Sequence, residues 1–132
     1  MDQIRLADAA GFVTSWFAEH HFSNYGLCPN PFLPIVKAAA ITERIRFGQA
    51  TTVLPIWHPV RLVEDINVTD ILCDGRLNVR FGRGYQPAEF EALEITLADS
   101  RSRFDEAVQI MTKAGPKRTS RSRVGTGVSP TH

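Results

Sequence analysis

Cysteine is scarce in this chain of 132 residues: Cys28 and Cys73 are the only two. Two thiols exclude a disulfide scaffold, and without a CxxC pair they exclude the common cysteine zinc sites. Neither has a basic neighbour arranged to lower its pKa, so both are expected to be structural or inert. Long apolar runs are missing as well. None approaches the ~18 residues of a membrane-spanning helix. Asp2, Asp8 and Glu19 interrupt the opening segment, which has no apolar h-region, so a secretory signal is not expected there. The expected address is the cytoplasm, with reduced thiols.

Acidic residues are absent from the last stretch. Residues 113–132 hold Lys113, Lys117, Arg118, Arg121 and Arg123 and no Asp or Glu, whereas residues 1–112 hold 10 basic and 14 acidic side chains. The net charge of +1 therefore joins two unlike materials. Residues 1–112 read as a domain, and 113–132 as a basic, disordered tail. The tail lacks aromatics for base stacking and lacks a helical period, so a nucleic-acid partner is not expected. Apolar residues make up 43% of the chain, enough to build a core.

Periodicity orders the elements. In residues 2–10, Ile4 with Ala7 and Leu6 with Ala10 fall at helical spacing, and Gly11 is a stop signal. Residues 13–17 are β-branched and aromatic, which predicts a strand. Gly26, Pro29 and Asn30 predict loop. Asn30 as cap and Pro31 as first residue predict a helix with the stripe Phe32, Ile35, Val36, Ala39 and Ala40. A buried strand is expected over 46–54, closed by Pro55. A helix over 59–72 follows, with Leu62, Val63, Ile66 and Ile71 inward. Asp74-Gly75 turns the chain into a strand over 77–81. Residues 82–87 read as loop and 88–99 fit no single pattern, while Phe104, Ala107, Val108 and Met111 mark a last helix.

Strands alternating with helices predict an α/β protein of about three parallel strands joined by right-handed crossovers. Such sheets are covered on both faces or closed into a barrel. Three strands leave two open edges, so self-association or pairing with a partner chain is expected.

Function in parallel α/β folds sits at the carboxyl ends of strands. Those ends are Glu19-His20-His21-Phe22, Gln49-Ala50-Thr51-Thr52 and Gly82-Arg83-Gly84-Tyr85. Arg83 between glycines suits a phosphate, because the backbone can approach and the guanidinium can fork onto oxygens. The alternative is a plain turn whose Arg83 pairs with Glu89 or Glu91. A histidine at the rim can exchange a proton with a bound cofactor, or can simply be buried against Glu19 or a carbonyl. Ala50 and Thr51 are small enough for a flat ring to lie on them, or small for packing alone. Adjacent histidines with no third ligand at suitable spacing do not predict a metal.

These blocks carry a resemblance. Gly11-Phe12, Trp16-Phe17-Ala18-Glu19-His20-His21-Phe22 and Thr42-Glu43-Arg44-Ile45-Arg46-Phe47-Gly48 open it. Val53-Leu54-Pro55, His58-Pro59-Val60-Arg61, Glu64-Asp65, Asp70 and Gly75-Arg76 follow. Gly82-Arg83-Gly84-Tyr85-Gln86-Pro87, Glu89-Phe90, Ser100-Arg101 and Arg103-Phe104 complete it. In this order and spacing they resemble the bacterial luciferase-like flavin monooxygenases. The resemblance implies a partial TIM (β/α)8 barrel over residues 1–112, reduced FMN supplied by a separate flavin reductase, and O2 used to oxidise a small organic substrate. Substrates in the family include aldehydes, alkanesulfonates, alkanes and flavin-linked cofactors, and these residues do not choose among them. By position, His20 matches the catalytic histidine beside the flavin ring, Ala50 and Thr51 the pair packed on the isoalloxazine, and Arg83 with Gly84 the phosphate anchor. Glu19, His21 and Glu64 match supporting positions.

Three departures follow from the resemblance. It implies a strand before residue 2 and further strands after Met111, and residues 113–132 resemble no part of the family, so a truncated chain with an out-of-frame tail is expected. Arg80 stands where relatives carry a small residue, and an interior arginine would require a carboxylate partner. The alternative function is a non-catalytic half-barrel that serves as an assembly partner or is a degenerate remnant.

Overall fold

The computed structural model describes residues 1–26 and 28–114. Helix α1 (Asp2–Ala9) turns Ile4, Ala7 and the buried Asp8 inward; Leu6 is 71% exposed. Gly11 ends it at φ +82, with the Phe12 N–H returning to Ala7 O, as a glycine C-cap does. Strand β1 (Thr14–Phe17) pairs in parallel with β2 (Arg46–Gln49), which pairs in parallel with β4 (Leu77–Asn78). A second ladder joins β3 (Thr52–Val53) to β5 (Phe81–Gly82). Among the described residues, β1 and β4 are the edges of the first sheet.

The single strands expected over 46–54 and 77–81 are thus each broken in two, and register supplies the reason. Phe47 pairs with Leu77, an offset of 30, while Thr52 pairs with Phe81, an offset of 29. One extra residue therefore sits in the 49–51 segment relative to 79–80. An inserted residue interrupts the ladder and re-aims the side chains beside it, as bulges do. A cis peptide joins Ala50 to Thr51 within that segment.

Helices cover one face of the sheet. Helix α2 (Phe32–Ala39) begins after Asn30, whose Oδ1 accepts the Phe32 N–H at 3.0 Å. Its Ile35, Ala38 and Ala39 pack with Ile45, Phe47, Cys73 and Leu77. The inward stripe is therefore rotated slightly from the expected one: Ala38 is buried and Ala40 is exposed. Helix α3 (Pro59–Leu72) places Leu62 in a second cluster with Phe32, Leu54 and Ala107. Ile71, expected inward, is 75% exposed, because burial at that end of the helix passes to Thr69 and Cys73. The segment 88–99 resolves into α4 (Pro87–Ala92) and a 3-10 turn at Leu97–Asp99. Helix α5 (Ser100–Ala114) starts earlier than its apolar markers and packs Phe104, Ala107 and Met111 inward. The rest of the expected tail lies outside the described residues.

On the opposite face Trp16 lies over Gly48, where a Cβ would fall 2.3 Å from a ring carbon. Arg80 is exposed and needs no carboxylate, because its guanidinium carbon stacks 4.2 Å from the Trp16 ring centroid, a cation–π contact. No helix among the described residues is long and apolar enough to cross a membrane.

Candidate functional site

The register break, the segment after β1 and the loop after β5 open onto one cavity of about 530 Å³, within the ~300–1,000 Å³ range of small-molecule and cofactor sites. His20, Ala50, Thr51, Arg83 and Gly84 all line it. His21 does not. It lines a neighbouring cavity of about 350 Å³ with Phe22, Ser23, Asn24 and Pro29, where His20 also borders. Of the two histidines, His20 is the one that faces Ala50, Thr51 and Arg83.

Two buried carboxylates set the histidines. Glu89 Oε1 lies 3.0 Å from His20 Nδ1 and accepts the His21 backbone N–H at 3.0 Å. A carboxylate accepts, so the His20 ring donates through Nδ1. Glu19 accepts from His21 Nε2 at 2.9 Å and from the Trp57 indole at 2.8 Å through Oε1, and from the Val53 N–H at 2.9 Å through Oε2. Its side chain has no exposed surface, and three donors compensate the buried charge. Since Val53 ends β3, Glu19 ties the histidine segment to the strand beside Ala50 and Thr51.

The glycines of the third rim segment are set by contact. A Cβ on Gly82 would stand 2.2 Å from Thr51 Oγ1, and one on Gly84 2.6 Å from Val53 Cγ1 and 2.9 Å from Phe90 Cε2, at φ +74. Between them Arg83 is exposed, and among the described residues it makes no hydrogen bond or ion pair. Glu89, one of its candidate partners, is committed to His20 instead.

Glu64, expected to support the site, belongs to the exposed face of α3, where it accepts from Arg61 at 2.7 Å. Trp57 and Tyr25 are residues that sequence reasoning missed, and the bond of Glu89 to His20 is one it did not foresee. Glu89 is the most consequential, and its Glu89-Phe90 block was its only signal. Burial is the leading cause that raises both thiols above their ordinary pKa, with the Glu19 charge adding to it at Cys28. Both are therefore poor nucleophiles. Among the described residues no three His, Cys, Asp or Glu side chains gather where a metal ion could be held.

A parallel α/β layer with a cavity at its strand ends defines a barrel-type site. The family model of the luciferase-like monooxygenases matches residues 1–117, slightly past the 112 expected, and the chain belongs to that family. It is 41% identical over 113 residues to protein y4vJ of Sinorhizobium fredii, covering 86% of this chain and 32% of that one. It is 39% identical over 89 residues to the oxygenase component of a flavin-dependent trigonelline monooxygenase of Acinetobacter baylyi, covering 67% and 25%. Among solved structures, the oxygenating constituent of 3,6-diketocamphane monooxygenase of Pseudomonas putida, in complex with FMN, superposes with TM-score 0.79 at 28% identity. That superposition covers 83% of this chain and 31% of the other. The chain thus spans a quarter to a third of the length of these relatives, and its fold is the corresponding part of a luciferase-like TIM barrel.

Proposed function

We propose that this chain carries the flavin half of the site of an FMN-dependent monooxygenase that oxidises a small organic substrate with O2. The observation that carries the reading is the convergence of His20, Ala50, Thr51, Arg83 and Gly84 on one cavity, with the Arg83 guanidinium free of any ion pair among the described residues and His20 Nδ1 bonded to Glu89. The donor set suits the cofactor. Arg83 offers the forked, permanently charged group that recognises phosphate, and Ala50 and Thr51 give a wall low enough for a flat ring. His20 borders the same cavity with its Nδ1 held by Glu89. Reduced flavin, delivered by a separate reductase, supplies the electrons for oxygen activation when bound. The chain's own residues anchor it, orient it and hold an imidazole beside it. Relatives act on trigonelline in one case and alkanals in another; for this chain the substrate class stays at a small organic molecule. We place the domain through the end of α5 at Ala114, just past the 112 read from the sequence, with the sheet edges serving self-association.

Fluorescence titration of FMN with the purified chain tests the reading. Saturable quenching that Arg83→Ala weakens ~10-fold or more, the loss of roughly one charge-assisted bond, is the expected result. No saturable binding, or binding indifferent to Arg83, overturns it.

A further inference from the structure

Beside the His20 ring stand residues that the flavin reading leaves without a role. Tyr25 stands edge-on to the imidazole, with ring centroids 4.8 Å apart and planes at 67°, an arrangement aromatic rings favour. Gly26 follows at φ +85, and a Cβ there would reach 3.3 Å from His20 Cδ2. A side chain at position 26 would therefore press on the carbon edge of the ring. Local bonds seat this turn: His20 N–H donates to Cys28 O at 3.2 Å, and Ser23 Oγ accepts the Tyr25 N–H at 3.3 Å. The bonded pair is sheltered. Tyr25 is 68% exposed, yet the His20 and Glu89 side chains are only 12% and 4% exposed.

We propose that Tyr25 is a positioning residue, whose ring holds the His20 imidazole against Glu89 and keeps water from the bond between them. Nε2 is then the one ring nitrogen presented to the cavity. The proposal rests on the reading of His20 as the histidine that faces the flavin, and it adds what orients that group. The imidazole torsion is broad and roughly two-fold. A flip would exchange Nδ1 with Cδ2 and set a carbon against the Glu89 carboxylate. Glu89 resists the flip with one hydrogen bond, whereas the Tyr25 ring, packed edge-on beside the imidazole, resists it by steric contact. Excluding water also raises the strength of the bond that remains, because the local dielectric falls.

The test requires no flavin. In isotope-labelled full chain, nuclear magnetic resonance follows the exchange of the His20 Nδ1–H proton with water, and the imidazole nitrogen shifts report the tautomer. Tyr25→Ala is expected to speed exchange by ~10-fold or more and to raise the second tautomer, while Tyr25→Phe, which keeps the ring, stays within ~2-fold, as expected when local protection depends on a covering group. An unchanged exchange rate in Tyr25→Ala overturns the proposal. So does a wild-type chain without an Overhauser effect between the Tyr25 and His20 rings, a measurement independent of whether the variant folds. FMN titration of the same samples separates the two readings. Wild-type chain that binds no FMN refutes the flavin assignment while the exchange comparison still decides the role of Tyr25. Chain that binds FMN with exchange unchanged in Tyr25→Ala refutes the Tyr25 assignment alone.

Discussion

The Glu19 carboxylate holds the indole N–H of Trp57 at 2.8 Å, and by that bond the segment leading into His20 is fastened to the turn beyond β3. The same carboxylate takes the Val53 N–H and His21 Nε2, so three donors converge on one buried anion. An amide in its place offers one acceptor oxygen and turns its own N–H groups on the remaining donors. Glu19→Gln is therefore expected to cost ~2–4 kcal/mol, the range for leaving buried polar groups unpaired or breaking a buried charge network. Urea titration measures the loss, and red-shifted tryptophan emission reports Trp57 reaching water. A cost below ~0.5 kcal/mol, the size of an ordinary surface substitution, would refute the hub.

Much of this architecture was legible in the sequence, and the parts that were not have definite causes. The helical stripe around Ile35 and the apolar residues of β2 report burial directly, so the order of helices and parallel strands followed from periodicity. The rim residues His20, Arg83 and Gly84 were legible because each follows a strand expected from the sequence, whereas Ala50 and Thr51 lie at a strand end only because the strand expected over 46–54 is broken there. The extra residue at 49–51 was not legible, since a register shift exists only relative to a partner strand and no residue type marks it. Glu89 was weighed only as one possible partner of nearby Arg83, whereas its actual partner His20 lies 69 positions away. Glu64 was misplaced for the opposite reason: its Arg61 neighbour, one helical turn away, satisfies it on the surface without reference to the cavity.

Gly84 is held by two independent constraints, its left-handed backbone and the closeness of Val53 and Phe90. Gly84→Ala should therefore destabilise the chain by ~2–4 kcal/mol, combining the penalty for a side chain at positive φ with that of overpacking. Gly75 is also at positive φ, but a Cβ there would meet nothing within 4 Å. It supplies the control: Gly75→Ala should cost only the backbone share, ~1–2 kcal/mol. Equal thermal shifts for the two variants would show that contact with Val53 and Phe90 does not matter.

Arg83 makes no ion pair among the described residues, so its charge is available to a ligand. If it anchors the flavin phosphate, Arg83→Ala should weaken FMN by ~10–100-fold, the worth of a charge-assisted bond, and leave riboflavin unchanged, since riboflavin has no phosphate. Arg83→Lys should restore the charge without the fork and recover only part of the affinity. Parallel fluorescence titrations of both flavins decide it. A matching loss for riboflavin would mean that the variant damages the cavity rather than the anchor.

Asp8 links α1 to the chain entering β2, and it does so in a pH-dependent way. Its carboxylate accepts the N–H groups of Glu43 at 2.9 Å, Arg44 at 3.1 Å and Ile45 at 2.7 Å. The Glu43 N–H bond is the largest influence and, with those from Ile45 and Arg44 and the Arg44 charge, holds the Asp8 pKa below its ordinary value against the opposing effect of burial. A carboxyl whose folded pKa is depressed binds protons more readily when unfolded. Its stabilisation is thus complete above the unfolded value of ~3.9 and fades as pH falls through the lower folded value. Asp8→Asn should lower the thermal midpoint clearly at neutral pH, because the amide keeps one acceptor where three donors converge. That difference should narrow steadily below pH ~4 as wild-type Asp8 itself is protonated. Thermal melts of both chains from neutral to acid pH measure it, and a gap that stays constant into acid would show that the three backbone bonds do not depend on the Asp8 charge.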